Sequence, residues 1–338
     1  MAGIRPRRAC TDRVWQGMQL LIVKTSSLGD VVHNLPVVAD MLAQSPGTEI
    51  DWVVEEDFAD IPAMHPRVRR VIPVGMRRWR RRLMAPATWR DIARFRRDLQ
   101  TKTYDIVLDS QGLLKSALLA RLARGPTRGP GRTTARESLA ACFYDQAFHV
   151  ARGRHAVERN RDLAAQALGY PLPQSPPDYG IRPPEITSPF SVPGKSIVGL
   201  HATSRASKRW PDAQWIELGN KLAGRGMPLL LPWGSPDEQR HAQKLAQQLA
   251  NAVVLPRLGL RELAALMGRA PAVVGVDTGL VHLSAALERP TVAIFTDTSP
   301  TLTGVVAARP ERVRNVGDSR QIPNAESVWQ ALTELKVV

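Results

Sequence analysis

The stretch "QLLIVKTSSLGDVVHNLP", residues 19–36, runs from a short apolar, β-branched segment through a polar turn with one flexible glycine into a helix-like pattern. It reads as a strand handing over to a helix, with Asp30 at the junction. The same grammar recurs along the chain. "IDWVV" (50–54), "RVIPV" (70–74) and "YDIVLD" (104–109) each precede a polar turn and a helical pattern. After a break come "SIVGLHA" (196–202), "MPLLLPW" (227–233), "AVVLP" (252–256), "PAVVGVD" (271–277) and "TVAIF" (291–295). Strands alternating with helices build parallel sheets, so the fold class is α/β, with two doubly wound domains in tandem.

The break itself is "YPLPQSPPDYGIRPPEITSPFSVPGK" (170–195), whose eight prolines deny it sustained regular structure. The expected organisation is therefore a disordered leader over 1–17, an N-terminal Rossmann-like domain over 18–170, and a linker over 171–195. A second Rossmann-like domain over 196–322 and a C-terminal helix over 323–338 complete it. A length of 338 residues agrees with about two domains, each able to bury its own core.

Composition removes several classes. No run approaches the roughly 18–20 apolar residues of a membrane span. The first residues lack an apolar secretory core, so a cytoplasmic protein is expected. Cys10 and Cys142 are far apart, and the seven histidines show no metal-ligand spacing. Neither a disulfide framework nor a protein-held metal is expected. Lys and Arg outnumber Asp and Glu by 46 to 31. Twelve arginines fall between Arg67 and Arg97, where Asp91 is the one acid. Such a block attracts polyanions: nucleic acid, anionic lipid or a phosphorylated substrate. It is also compatible with a solvated face of arginine-rich helices.

In open α/β sheets ligands bind beyond the carboxyl ends of the strands, which directs attention to the polar strand ends. In "VVGVDTGLVHLSAALE", Asp277, Thr278 and Gly279 open a helix whose first-turn N–H groups suit a phosphate, with His282 one turn on. The alternative is an Asp cap beside a core histidine. In "GLHATSRASKRWP", Thr203 and Ser204 offer donors, and Lys208 offers a cation for a diphosphate; a basic surface loop is the plainer reading. In "LLLPWGSPDEQRH", Glu238 could accept ribose hydroxyls or merely complement the helix dipole. Asp30 could take a proton from an acceptor hydroxyl or simply cap its helix. The lone glycine after Asp277 is not a G-x-G-x-x-G fingerprint, which disfavours a dinucleotide cofactor.

Taken together and in order, "LLIVKTSSLGDVVHNLP", "DWVVEEDFADIP", "RVIPVGMRRWRR", "VLDSQGLLKSALLARLARG", "TARESLAACFYDQ", "HAVERN", "HATSRASKRWP", "LPWGSPDE" and "VDTGLVHLSAAL" resemble the lipopolysaccharide heptosyltransferase I family over about residues 18–335. The resemblance implies the GT-B architecture, two Rossmann-like domains facing a cleft. It also implies inverting transfer of L-glycero-D-manno-heptose from ADP-heptose to the inner Kdo of Kdo2-lipid A, with no cofactor. The family's catalytic aspartate falls on Asp30. Its donor site falls on Thr203, Ser204, Lys208, Glu238, Leu258, Asp277, Thr278, Gly279 and His282. Basic acceptor-side residues fall on Lys24, Arg77, Arg78, Arg80, Arg81 and Arg136. Leu258 stands in place of a methionine of similar volume, Ser204 in place of a threonine, and the leader has no counterpart. The polyanionic acceptor accounts for the arginine block, and implies a peripheral position on the cytoplasmic face of the inner membrane. The rival readings are a GT-B transferase of another sugar or acceptor, such as the second heptosyltransferase type, and a basic nucleic-acid-binding protein. With aromatics at 5% and no RNA-binding module, no nucleic-acid partner is expected.

Overall fold

The computed structural model describes residues 17–185, 194–203 and 205–338. Most of the expected leader, the linker residues 186–193 and Ser204 lie outside the described residues.

The first half is one parallel sheet of six strands: β1 (Gln19–Val23), β2 (Glu49–Glu55), β3 (Val68–Val74), β4 (Ile106–Asp109), β5 (Thr127–Pro130) and β6 (Gln146–Phe148). Their spatial order is β3-β2-β1-β4-β5-β6. Helices α1 (Leu28–Val32), α2 (Pro36–Gln44), α3 (Asp60–Ala63), α4 (Met76–Arg81), α5 (Pro86–Leu99), α6 (Leu114–Leu122) and α7 (Ala156–Leu168) connect them. β1 is buried along Leu20–Val23 because it lies mid-sheet with both faces covered, which is why it reads as a continuous apolar run.

The second half repeats the plan with β7 (Ile197–Leu200), β8 (Leu229–Leu231), β9 (Ala252–Val254), β10 (Val273–Val276), β11 (Thr291–Ile294) and β12 (Val313–Val316). Its order is β12-β11-β10-β7-β8-β9, again all parallel. Here the helices are α8 (Asp212–Ala223), α9 (Pro236–Ala246), α10 (Leu260–Arg269), α11 (Gly279–Ala286), α12 (Pro300–Thr303) and α13 (Ala325–Glu334). Counted from its own first strand, each sheet has the order 3-2-1-4-5-6. The strand order reverses at β1/β4 in one half and at β7/β10 in the other, and each reversal opens a crevice at the strand ends.

Three strands escape the sequence pattern: β5, β6 and β12. "TRGP" carries an arginine, a glycine and a proline, "VRNV" carries an arginine and an asparagine, and "QAF" is only three residues long; β6 and β12 also lie at sheet edges, where apolar burial is slight. Between Leu168 and Ile197 no described residue belongs to a helix or strand. This connection is tied to the second half by Tyr179, whose hydroxyl donates to Val306 O at 2.7 Å.

The halves meet through backbone. A Cβ built on Gly279 would lie 2.5 Å from Leu28 Cδ2 and 2.8 Å from Gly29 N, so only glycine lets α11 approach α1 this closely. The largest apolar cluster runs through the contact, joining Val31, Val32 and Leu35 to Val281, Leu283 and Phe295. Both crevices therefore open into one space between the sheets.

Candidate active site

On the first half, Ser27 precedes α1 and Asp30 occupies its third position. The Asp30 carboxylate accepts the Ser27 N–H at 3.0 Å and the Ser27 hydroxyl at 3.2 Å. Asp30 therefore belongs to a capping box, a local bond that costs it only part of one oxygen. Arg136 grips the same carboxylate with its two terminal guanidinium nitrogens, Nη2 at 2.5 Å and Nη1 at 3.3 Å. Behind this pair lies Lys24, 3% exposed, its ammonium donating to Ser110 O at 2.7 Å and Asn160 Oδ1 at 3.3 Å. Burial lowers the Lys24 ammonium to about 8, against the partial support of the Asp30 and Asp109 charges. Burial would raise Asp30, but the Lys24 and Arg136 charges and the Arg136 and Ser27 hydrogen bonds outweigh it and bring the carboxyl down to about 2.

The second half contributes the opposite wall. Thr203, just beyond β7, donates its hydroxyl to Asp277 O at 3.3 Å, linking the ends of β7 and β10. The Asp277 carboxylate receives the Lys208 ammonium at 2.5 Å and the Thr298 hydroxyl at 2.7 Å. It is not the helix cap: Thr278 holds that position, and among the described residues its side chain makes no capping bond to the first turn of α11. Those amides remain available to an anion. Glu238 completes a capping box on α9, its Oε2 accepting the Gly234 and Ser235 N–H groups at 2.7 and 3.2 Å, which leaves Oε1 for another donor. Trp233 is pinned by its indole N–H to Leu255 O at 2.6 Å.

One cavity of about 880 Å³ joins the two walls. Asp30, Gly29 and His33 line it from the first half; Thr203, Lys208, Glu238, Leu258, Asp277, Thr278, Gly279 and His282 line it from the second. Its floor is sealed by His33 and His282, whose Nε2 and Nδ1 atoms lie 3.0 Å apart with the rings nearly perpendicular. Burial lowers His282 to about 4 and holds His33 well below the usual imidazole range, so both rings are neutral at physiological pH. A smaller space of about 40 Å³ beside Asp30 is lined by Lys24, Arg136, Arg159 and Gln111. The buried Gln111 Nε2 and Arg159 Nε have no hydrogen-bond partner there, so the recess is rich in donors.

This arrangement, a carboxylate facing an anion cradle across a cleft, was compared with known proteins. Residues 92–328 match the model of glycosyltransferase family 9, heptosyltransferase. Lipopolysaccharide heptosyltransferase 1 of Pseudomonas aeruginosa is 50% identical over 289 residues, covering 85% of this chain and 81% of that protein. The Escherichia coli K12 protein of the same name is 44% identical, covering 94% and 100%.

The chain belongs to glycosyltransferase family 9.

A type 2 heptosyltransferase of Salmonella typhimurium is more distant, at 24% identity over 94% of the chain and 95% of that protein. The solved structure of E. coli heptosyltransferase WaaC with ADP superposes with a TM-score of 0.85 at 43% identity, covering 94% of this chain and all of that one. The same enzyme with ADP-2-deoxy-2-fluoro heptose gives 0.82 at 42%, covering 94% and 99%. The two sheets of this family 9 glycosyltransferase thus have the GT-B architecture.

Within that frame the structure brings the expected donor-side residues together, Ser204 lying outside the described residues, and divides the acceptor-side arginines. Arg136 and Lys24 adjoin Asp30, and Arg77 reaches the main cavity. Arg78 is instead consumed by Glu56 at 3.0 Å and Asp91 at 2.6 Å. Arg80 and Arg81 are exposed and line neither space. Their helix turns successive side chains by about 100°, so a basic run in sequence cannot become one basic wall. Sequence reading missed His33, Arg159 and Trp233. His33 and Arg159 lie within the quoted "DVVHNLP" and "HAVERN", yet nothing local distinguishes them from core and surface positions.

Proposed function

We propose that the chain transfers L-glycero-D-manno-heptose from ADP-heptose to the inner Kdo of Kdo2-lipid A, with inversion and with Asp30 as general base. The observation that carries this reading is the single cavity shared by Asp30 and the uncapped N-terminus of α11. The ADP and ADP-fluoroheptose held by the E. coli relative support the donor, and the type 1 names of the relatives at 44–50% identity support the acceptor step.

In the proposed displacement the acceptor oxygen forms a bond to the heptose anomeric carbon, its proton passes to Asp30, and the bond from that carbon to the diphosphate breaks. Negative charge grows on the departing ADP. Lys208 and the amides around Thr278 and Gly279 meet it, one such donor typically being worth about 3–4 kcal/mol. Glu238 Oε1 suits ribose hydroxyls, and Leu258 and Trp233 suit the base. Lys24, Arg136 and Arg159 suit the acceptor carboxylate. A ligand carboxylate on Arg136 loosens its grip on Asp30, so acceptor binding itself raises the basicity of the base. Acceptor and donor arriving from opposite halves also exclude the water that would hydrolyse the donor.

Among the described residues no helix is long and apolar enough to cross a membrane. In this reading the lipid-anchored acceptor brings the enzyme to the bilayer surface, peripherally and on the cytoplasmic face.

The deciding experiment follows ADP release from ADP-heptose with and without deacylated Kdo2-lipid A. Release that depends on the acceptor supports the reading; equal release with a different acceptor and none with Kdo overturns it.

A further inference from the structure

We infer that the corner joining α4 to α5 seats the protein on an anionic bilayer, with Leu83, Met84 and Trp89 entering the interface and neighbouring guanidiniums resting on headgroups. Eight large hydrophobic residues are exposed among the described residues, and three of them fall within this seven-residue corner. Met84 is 96% exposed, Trp89 60% and Leu83 51%. Scattered exposed apolar residues need no explanation, but a cluster does.

The corner is built rather than loose. Trp79 is buried against Phe95 with ring centroids 5.8 Å apart, anchoring α4 to the core. The Thr88 hydroxyl donates to Arg82 O at 2.7 Å, and the Trp89 indole donates to Leu83 O at 3.0 Å. These bonds hold the backbone while the apolar side chains face water. Around them Arg80, Arg81, Arg82, Arg90 and Arg94 are exposed, and none makes an ion pair among the described residues.

An exposed apolar corner flanked in sequence by exposed arginines is complementary to the headgroup region of an anionic membrane, which offers both an apolar boundary and negative charge. Nucleic acid would engage the arginines but leave Met84 and Leu83 in water. The placement has a consequence at the other end of α4, where Arg77 lines the main cavity. Six helical residues span about 9 Å, so a seated corner holds the cleft within about one such length of the headgroups. This deepens the membrane-surface reading above and rests on it for its purpose, but its test needs no turnover.

The full chain is sedimented with vesicles of phosphatidylethanolamine and phosphatidylglycerol, and with pure phosphatidylcholine. The parent protein partitions onto the anionic vesicles, and the Leu83→Ser, Met84→Asp double variant loses at least about tenfold of that partition with every arginine in place. Met84→Leu retains it. Turnover of deacylated, water-soluble acceptor is unchanged in all three, which separates docking from the transferase reading. Equal partition of parent and double variant overturns the inference in favour of a purely electrostatic contact. Loss of soluble-acceptor turnover together with partition overturns it by making the corner part of the acceptor site. A parent that binds no vesicle overturns it outright, and leaves the proposed activity to its own test.

Discussion

Arg136 Nη2 lies 2.5 Å from Asp30 Oδ1, although the two residues are 106 positions apart in the chain. The proposed base is therefore held ionised and weakly basic until something competes for its partner. That relationship governs what each should do when altered.

Asp30→Asn keeps the size and the bond to Ser27 but cannot accept a proton. Turnover should fall roughly a hundredfold or more, the usual range for a general base, with little change in KM for ADP-heptose. Arg136→Ala should raise KM for the acceptor and shift the acid limb of kcat/KM to higher pH, because beside the Lys24 charge Asp30 then loses a guanidinium that both attracts its carboxylate and hydrogen-bonds to it. Steady-state kinetics across pH measure both. An Asp30→Asn enzyme of parental turnover would remove the base assignment.

Lys208 is paired with Asp277 at 2.5 Å, so the two should not act independently. Lys208→Ala should cost on the order of a hundredfold or more in kcat, from the loss of one leaving-group donor. It also strands the Asp277 carboxylate, 9% exposed, against an incoming diphosphate. Adding Asp277→Ala should therefore recover part of the ADP affinity lost by the single variant. Calorimetric titration with ADP reads this directly, and strict additivity would contradict it.

The glycine contact between the halves makes a graded prediction. Alanine at 279 places a Cβ 2.8 Å from the Gly29 backbone nitrogen, which cannot swing aside, whereas alanine at 29 meets His282 Cδ2 at 3.4 Å. Gly279→Ala should lower kcat/KM by about tenfold or more by holding the walls apart, and Gly29→Ala by distinctly less. A reversed order would show that the contact does not set the width of the cleft.

The buried imidazoles make stability depend on pH. Burial leads the lowering of His282, to about 4, and of His33, and the groups facing them are His155, Asp30, Lys24, Asp277 and Lys208. An unfolded histidine titrates near 6.5, so between about 6.5 and 4 the unfolded chain binds more protons than the folded one. Stability should therefore fall as pH drops through that window, and the His33→Gln, His282→Gln double variant should show a shallower fall. Asp30 has the opposite chemistry but the same sign, its contribution disappearing between about 4 and 2. Thermal melts from neutral to mildly acid pH test this; equal slopes in parent and variant would contradict it.

The sequence by itself determined that the chain makes two parallel α/β units. Periodicity is local: "LLIV" before "KTSSLGD" and "AVVGV" before "DTGLVH" declare strand, turn and helix without reference to anything distant. It likewise marked Asp30 and Asp277, because strand ends are where such folds keep their chemistry. The strands β5, β6 and β12 were invisible because pairing, rather than apolar pattern, makes them strands. Tertiary structure alone decided that Arg136 reaches Asp30, that His33 meets His282, and that Gly279 rests on Gly29. It also turned Arg78 into an ion pair while leaving Arg80 and Arg81 outside. Those outcomes depend on the angle at which two sheets meet and on which helix face a side chain occupies, and neither quantity is encoded in the neighbourhood of any one residue.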